Sequence, residues 1–180
     1  MIEATAWRIA THIKSVVPQH PASVEVLNHS LIIVINFFTV VGLSLIGSIF
    51  TGQTKEVILL LQCFAILRQL TGGLHLESST LCAVATAATA TILSLVPSNY
   101  EMTLILTSVA LLMVLNYAPA GIDQQTIIPE RFYPILKVVG VILISSNFWF
   151  ASHWAAMAYF VQGIMLMAYV NLKGGDLVES

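Results

Sequence analysis

The chain has 180 residues, of which 57% are hydrophobic and only 9% charged, and its mean hydropathy is +0.88. A soluble domain carries about a quarter charged residues, so a water-facing surface is excluded and a single integral membrane domain over 1–180 is expected. Seven Lys and Arg against nine Asp and Glu leave a formal charge of −2, which excludes a basic field for nucleic acid and an acidic disordered tail.

Residues 1–17 show no signal-peptide pattern, because Glu3, Arg8, His12 and Lys14 interrupt every apolar run. Ile2, Ala6, Ile9, Ile13 and Val16 recur at helical spacing, with Trp7, Ala10 and Val17 beside them and Thr5, Arg8, Thr11, His12 and Ser15 opposite. The pattern predicts an amphipathic helix lying in the headgroup plane; an ordinary helix packed on the rest of the protein has the same periodicity. Pro18 and Pro21 end it.

Six apolar segments follow, at 31–50, 57–67, 81–96, 102–117, 133–150 and 154–170. A span takes about 20 apolar residues, with a range of about 17–25. The first and last qualify, and the fourth and fifth do so with their flanks. The second ends at Arg68, and the third is rich in Ala and Thr. These two fit either short tilted spans or half-penetrating segments that meet at the loop between them. The fold class expected is all-α: a polytopic membrane protein with an N-terminal interfacial helix (1–17) and membrane segments over 31–170. A six-segment zigzag with both termini and the loop 68–80 cytoplasmic puts Arg8, Lys14, Arg68, Arg131, Lys137 and Lys173 inside and only Lys55 outside. His153-Trp154 reads as an interfacial anchor on the outer side.

The stretch from Arg68 to Cys82 gathers a glycine pair, Gly72-Gly73, with His75, Glu77, Ser78, Ser79 and Cys82 in a chain that otherwise avoids polar groups. Ionisable groups at membrane depth are costly and read by default as functional. A cysteine and a histidine form a simple nucleophilic pair, since an imidazolium lowers the thiol pKa and the thiolate is the reactive species. In one unbroken helix His75 and Cys82 would share a face but stand about 10.5 Å apart along the axis. To work together they need a helix that begins between them, with Ser78 or Ser79 as N-cap, Gly72-Gly73 as the permissive turn, and Cys82 in the first helical turn, where the dipole favours a thiolate.

Arg68, Gly72-Gly73-x-His75 and Cys82 seven residues beyond the histidine, set between apolar segments, resemble the accessory gene regulator B (AgrB) family of membrane cysteine endopeptidases. Asn116-Tyr117-Ala118-Pro119-Ala120 is similar to the family's Tyr-Ala-Pro segment. The resemblance implies His75 as general base and acid, Cys82 as nucleophile, an AgrD-like quorum-sensing pro-peptide as substrate, and a homodimer. It also implies that a thioester on Cys82 is released as a thiolactone or lactone ring. Glu77 stands where the family often has a basic residue, and Gly121-Ile-Asp123-Gln124-Gln125 stands where it often has lysines; both bear on how a charged substrate segment is held.

Each of these residues also has a structural reading. Cys82 could be a small buried hydrophobe, and Cys63, mid-segment with Gln62 as its polar neighbour, reads as core packing. Gly72 and Gly73 could form only a turn, or could offer oxyanion N–H groups or a close approach to His75. Arg68 could anchor topology or clamp a substrate carboxylate; Glu77 could be a solvated loop charge or orient His75. One histidine and one cysteine leave a tetrahedral zinc two ligands short, so no metal and no cofactor are expected. A non-enzymatic transporter or scaffold is the alternative; it would need a polar path through spans that offer mainly Asn36, Gln62 and Gln162.

Overall fold

The computed structural model describes residues 1–74, 78–122 and 129–176; His75, Glu77 and Asp123-Gln124-Gln125 lie outside this set. Among the described residues are seven α-helices: α1 (Ile2–Val16), α2 (Val24–Thr51), α3 (Thr54–Thr71), α4 (Ser79–Ser94), α5 (Tyr100–Tyr117), α6 (Tyr133–Phe150) and α7 (His153–Asp176). A 3-10 turn at Glu130–Phe132 leads into α6. No strand is present among them, only an isolated parallel bridge between Gly72 and Ala120. The protein is therefore all-helical, as its composition and periodicity predict.

Among the described residues, four stretches are long and apolar enough to cross a bilayer: Val24–Thr51, Tyr100–Tyr117, Glu130–Phe150 and His153–Lys173. The protein is thus a multi-pass membrane protein. The two thin segments stay thin. α4 has 16 residues, about 24 Å at 1.5 Å per residue, against a hydrocarbon core of about 30 Å. α3 reaches 18 residues by taking in Lys55 and Glu56 at one end and Arg68 at the other.

Apolar side chains point outward in α2 and α6, where Phe38, Ile49, Phe50, Trp149 and Phe150 are all exposed, while buried positions include Ser44, Ser48, Thr103, Thr107, Asn147 and Gln162. This inverts a soluble protein. Lipid gives no hydrophobic drive for helices to associate, so they pack through small residues and buried hydrogen bonds.

The chain divides into two compact units, Met1–Thr54 with 75–92, and Lys55–Leu74 with Leu93–Ser180. In the first, α1 packs on α2 through Ile2, Ala6 and Ala10, an i, i+4, i+8 stripe whose small alanines permit close approach. The face differs from the one the periodicity picks. Ile9 and Val16 are exposed with Trp7 and Val17, so α1 is both packed on its neighbour and apolar outward. Lys14 Nζ donates to the carbonyls of His20 and Ala22, pinning the turn, and Ser23 Oγ caps α2 by accepting from the Val26 N–H. Gly47 of α2 gives Thr91 of α4 room, since a Cβ there would stand 2.6 Å from the Thr91 hydroxyl.

In the second unit Leu67, Ala110, Val114, Ile144, Tyr159 and Leu166 form the core, with Cys63 packed against it, which agrees with the packing role read for Cys63. Asn147 closes the corner between α6 and α7. Its Nδ2 donates to Thr107 Oγ1 (2.9 Å) and to the Ser152 carbonyl (3.1 Å), and its Oδ1 accepts from the Ser152 N–H (3.0 Å). His153 is not the surface anchor its place beside Trp154 predicts. It is buried, with Nδ1 3.0 Å from Thr103 Oγ1, because the Asn147 corner turns the first residue of α7 toward α5.

Candidate active site

The helix carrying Cys82 begins where the spacing requires, between positions 75 and 82. α4 starts at Ser79, and Ser78 is its N-cap: its Oγ accepts from the Leu81 N–H at 3.3 Å, and its carbonyl accepts from the Cys82 N–H at 2.9 Å. Cys82 is thus the fourth residue of the helix, within the first turn, and its thiol is half-buried and free of any disulfide.

A second cap comes from a place the local pattern does not announce. Glu3 of α1 accepts the Ser79 N–H through Oε1 at 2.6 Å, and Thr80 Oγ1 accepts from the Ile2 N–H at 3.1 Å. The amphipathic helix is therefore clasped to the amino end of the cysteine helix. The Glu3 and Ser79 backbone N–H groups hold the Glu3 carboxyl well below its ordinary value, at about 2. A carboxylate here answers part of the positive end of the α4 dipole, so the dipole alone gives less help to a Cys82 thiolate than the sequence implies.

The other half of the motif is built at the end of α3, in the second unit. Gly72 and Gly73 have φ of +75° and +116°, backbone open to glycine at little cost. Thr71 to Gly73 runs beside Ala120: the Ala120 N–H donates to the Thr71 carbonyl (3.0 Å), and the Gly73 N–H donates to the Ala120 carbonyl (2.7 Å). A Cβ on Gly72 would lie 2.1 Å from the Ala120 oxygen, so only glycine permits this approach. The Tyr117-Ala118-Pro119-Ala120 segment, with a cis Ala118–Pro119 bond, supplies through Ala120 the backbone that pairs with the diglycine turn.

The Gly72 N–H donates to the Arg68 carbonyl at 2.9 Å. Both glycine N–H groups are thus engaged by carbonyls of the chain itself, and an oxyanion role would require them to exchange partners. Arg68 makes a contact that neither of its expected roles includes. Its Nη2 donates to the Leu74 carbonyl at 2.7 Å, Nη1 points to Met165 Sδ at 3.4 Å, and the guanidinium stacks over Phe64. It holds the residue just before His75.

The structure thus brings Arg68, Gly72 and Gly73 together around one turn and puts Cys82 in the first turn of α4. His75 and Glu77 lie outside the described residues. Sequence reasoning missed Glu3 as a cap on α4, and it missed Ala120 and Gln162 as partners of the diglycine turn. The clue for Gln162 was its rarity as an amide in an apolar helix. No group of three or more metal-ligating side chains occurs among the described residues.

Comparison with known proteins adds a separate line. The family model for accessory gene regulator B matches residues 6–172. An AgrB-like protein of Halalkalibacterium halodurans is 30% identical over 146 residues, covering 80% of this chain and 74% of that protein. No solved structure matches.

Proposed function

The chain belongs to the accessory gene regulator B family, and from that premise we propose that it is a membrane cysteine endopeptidase that processes a quorum-sensing pro-peptide. The observation that carries the proposal is the start of α4 at Ser79 with Ser78 as cap, which puts Cys82 in the first turn of its helix. The Cys82 thiolate attacks a backbone carbonyl of the pro-peptide. The C–N bond breaks, His75 gives its proton to the departing amine, and the amino-terminal fragment remains as a thioester on Cys82. A thiol or hydroxyl within that fragment then loses its proton to the now neutral His75 and attacks the thioester; the C–S bond to Cys82 breaks, a thiolactone or lactone closes, and the Cys82 thiolate and protonated His75 are regenerated. Seclusion at the membrane boundary protects the thioester from water, and tethering makes ring closure unimolecular.

The positions of the Lys and Arg residues support a cytoplasmic site with both termini inside, so product export needs a further step. The experiment is co-expression with a pro-peptide encoded beside the gene, comparing wild type with Cys82→Ala, Cys82→Ser and His75→Ala. Loss of cleavage in all three is expected, and cleavage that persists in Cys82→Ala rules the proposal out.

A further inference from the structure

At the end of the second unit where α6 stops and α5 and α7 begin, there is a cavity of about 400 Å³ whose walls include Ser98, Asn99, Tyr100, Ser152, His153 and Trp154. No Lys, Arg, Asp or Glu is among its described lining residues; Glu101 stands nearby in the chain but is exposed. Tyr100, Trp149 and Phe150 are exposed at the same end, aromatic side chains of the kind that sit at headgroup level. The cavity therefore lies at the bilayer surface.

One polar atom of a lining residue has no partner. The Thr103 hydroxyl gives its proton to the Asn99 carbonyl at 2.7 Å, so toward His153 it can only accept, and Nδ1, 3.0 Å away, is the protonated nitrogen of the imidazole. Nε2 is left as a bare acceptor, buried and unpaired, on a residue only 4% exposed. The cavity also receives the amino ends of two helices, where the first N–H groups lack intrahelical acceptors and the dipole is positive. Asn99 Oδ1 takes the Glu101 and Met102 N–H groups, and Ser152 Oγ takes that of Ala155. That leaves the N–H groups of Tyr100, His153 and Trp154 uncapped.

We propose that this cavity binds the headgroup of an anionic, hydroxyl-bearing phospholipid of the phosphatidylglycerol type, with its phosphodiester at the amino ends of α5 and α7 and a headgroup hydroxyl donating to His153 Nε2. The two halves of the site select against the alternatives. An ammonium headgroup could serve Nε2 but meets the positive ends of two dipoles. A phosphodiester without hydroxyls suits the N–H groups but gives Nε2 no donor. The volume falls within the range of small-ligand sites, about 300–1,000 Å³. Trp154 stands edge-on to the imidazole, 5.1 Å between ring centroids, and the headgroup reaches the closed-off Nε2 as the indole turns aside. The site is independent of the roles of His75 and Cys82.

The test is native mass spectrometry of the full chain, released from detergent micelles after titration with dioleoyl lipids. Phosphatidylglycerol is compared with phosphatidylethanolamine and with phosphatidylmethanol, which has the same phosphodiester and charge but no hydroxyl. The proteins are wild type, His153→Asn and Ser98→Trp. Asparagine keeps a donor for Thr103 near the place of Nδ1 and has no atom at the place of Nε2. Tryptophan at the exposed Ser98 fills the cavity from its loop and leaves the packed helices untouched. Wild type is expected to hold one phosphatidylglycerol about tenfold more tightly than either other lipid, about 1.4 kcal/mol and within the range of one net hydrogen bond, and both variants to lose that preference. Equal binding of phosphatidylglycerol and phosphatidylmethanol by wild type overturns the proposal, as does a preference that survives in His153→Asn. Free glycerophosphoglycerol at the concentration of the lipid is expected to leave the lipid bound; full displacement assigns the cavity to a soluble phosphodiester and overturns the lipid as its occupant. Should His153→Asn fail to accumulate in membranes, Ser98→Trp takes its place, and a preference that survives there overturns the proposal.

Discussion

Gly72→Ala tests how tightly the turn before His75 is held. An alanine at φ +75° pays about 1–2 kcal/mol for the left-handed backbone. The added methyl would also stand 2.1 Å from the Ala120 oxygen and 2.9 Å from Ile122 Cγ1, contacts that only separation of the two backbones relieves. Separation removes the Gly73 N–H to Ala120 and Ala120 N–H to Thr71 bonds, each worth about 0.5–1.5 kcal/mol and more if the groups stay dry. The total is about 2–5 kcal/mol, lost locally, since the seven helices make their own backbone bonds. The variant is expected to insert in membranes with wild-type helix content, while cleavage of a co-expressed pro-peptide, followed by mass spectrometry, falls about 100-fold. Gly42→Ala is the control. Nothing lies within 4 Å of its Cβ position, and in mid-helix the change is expected to stabilise by about 0.5–1 kcal/mol. Wild-type cleavage by Gly72→Ala, or an equal loss in Gly42→Ala, would refute the account of the turn.

Glu3→Ala removes the cap on Ser79. The side chain is 39% exposed, so solvent screening reduces the expected loss to about 1 kcal/mol. Because its carboxyl titrates at about 2 rather than the ordinary 4.5, the Glu3 contribution is full above pH about 4.5 and fades as pH falls toward 2; thermal midpoints of wild type and Glu3→Gln should therefore differ in pH dependence across that window. Cys63→Ala is expected to retain cleavage, and iodoacetamide should label Cys82 well before the core-packed Cys63; equal labelling would count against Cys82 as the activated thiol. Asn147→Leu leaves the Ser152 N–H without its partner and the Ser152 carbonyl with only the Ala156 N–H, and is expected to cost about 1–3 kcal/mol by thermal unfolding, with no direct effect on Cys82 alkylation.

Helix existence and the later boundaries were legible because they follow from periodicity and local caps. The segment read at 133–150 is α6 to the residue, and α5 and α7 start within two residues of expectation. The break between His75 and Cys82 was legible because no single helix could bring them together. The tertiary supports were not. Glu3 and Ser79 are 76 residues apart and Gln162 and Gly72 are 90 apart, and such contacts leave no periodic trace in one sequence. The face of α1 was misjudged because Ile9 and Val16 are as apolar as Ile2, and only the need for alanines at a close helix contact distinguishes the packed side. His153 was misjudged for a similar reason: beside a tryptophan at a segment end it reads as an anchor, but the corner made by Asn147 and Ser152 decides where it points.

The acyl-enzyme tests the central claim most directly. After brief exposure of the membrane-embedded protein to its pro-peptide and an acid quench, intact-mass and peptide mapping should find the amino-terminal fragment attached to Cys82 through a hydroxylamine-labile thioester, present in wild type and absent in Cys82→Ala. A cleaved pro-peptide with no adduct on Cys82, or cleavage that persists in Cys82→Ala, would contradict it.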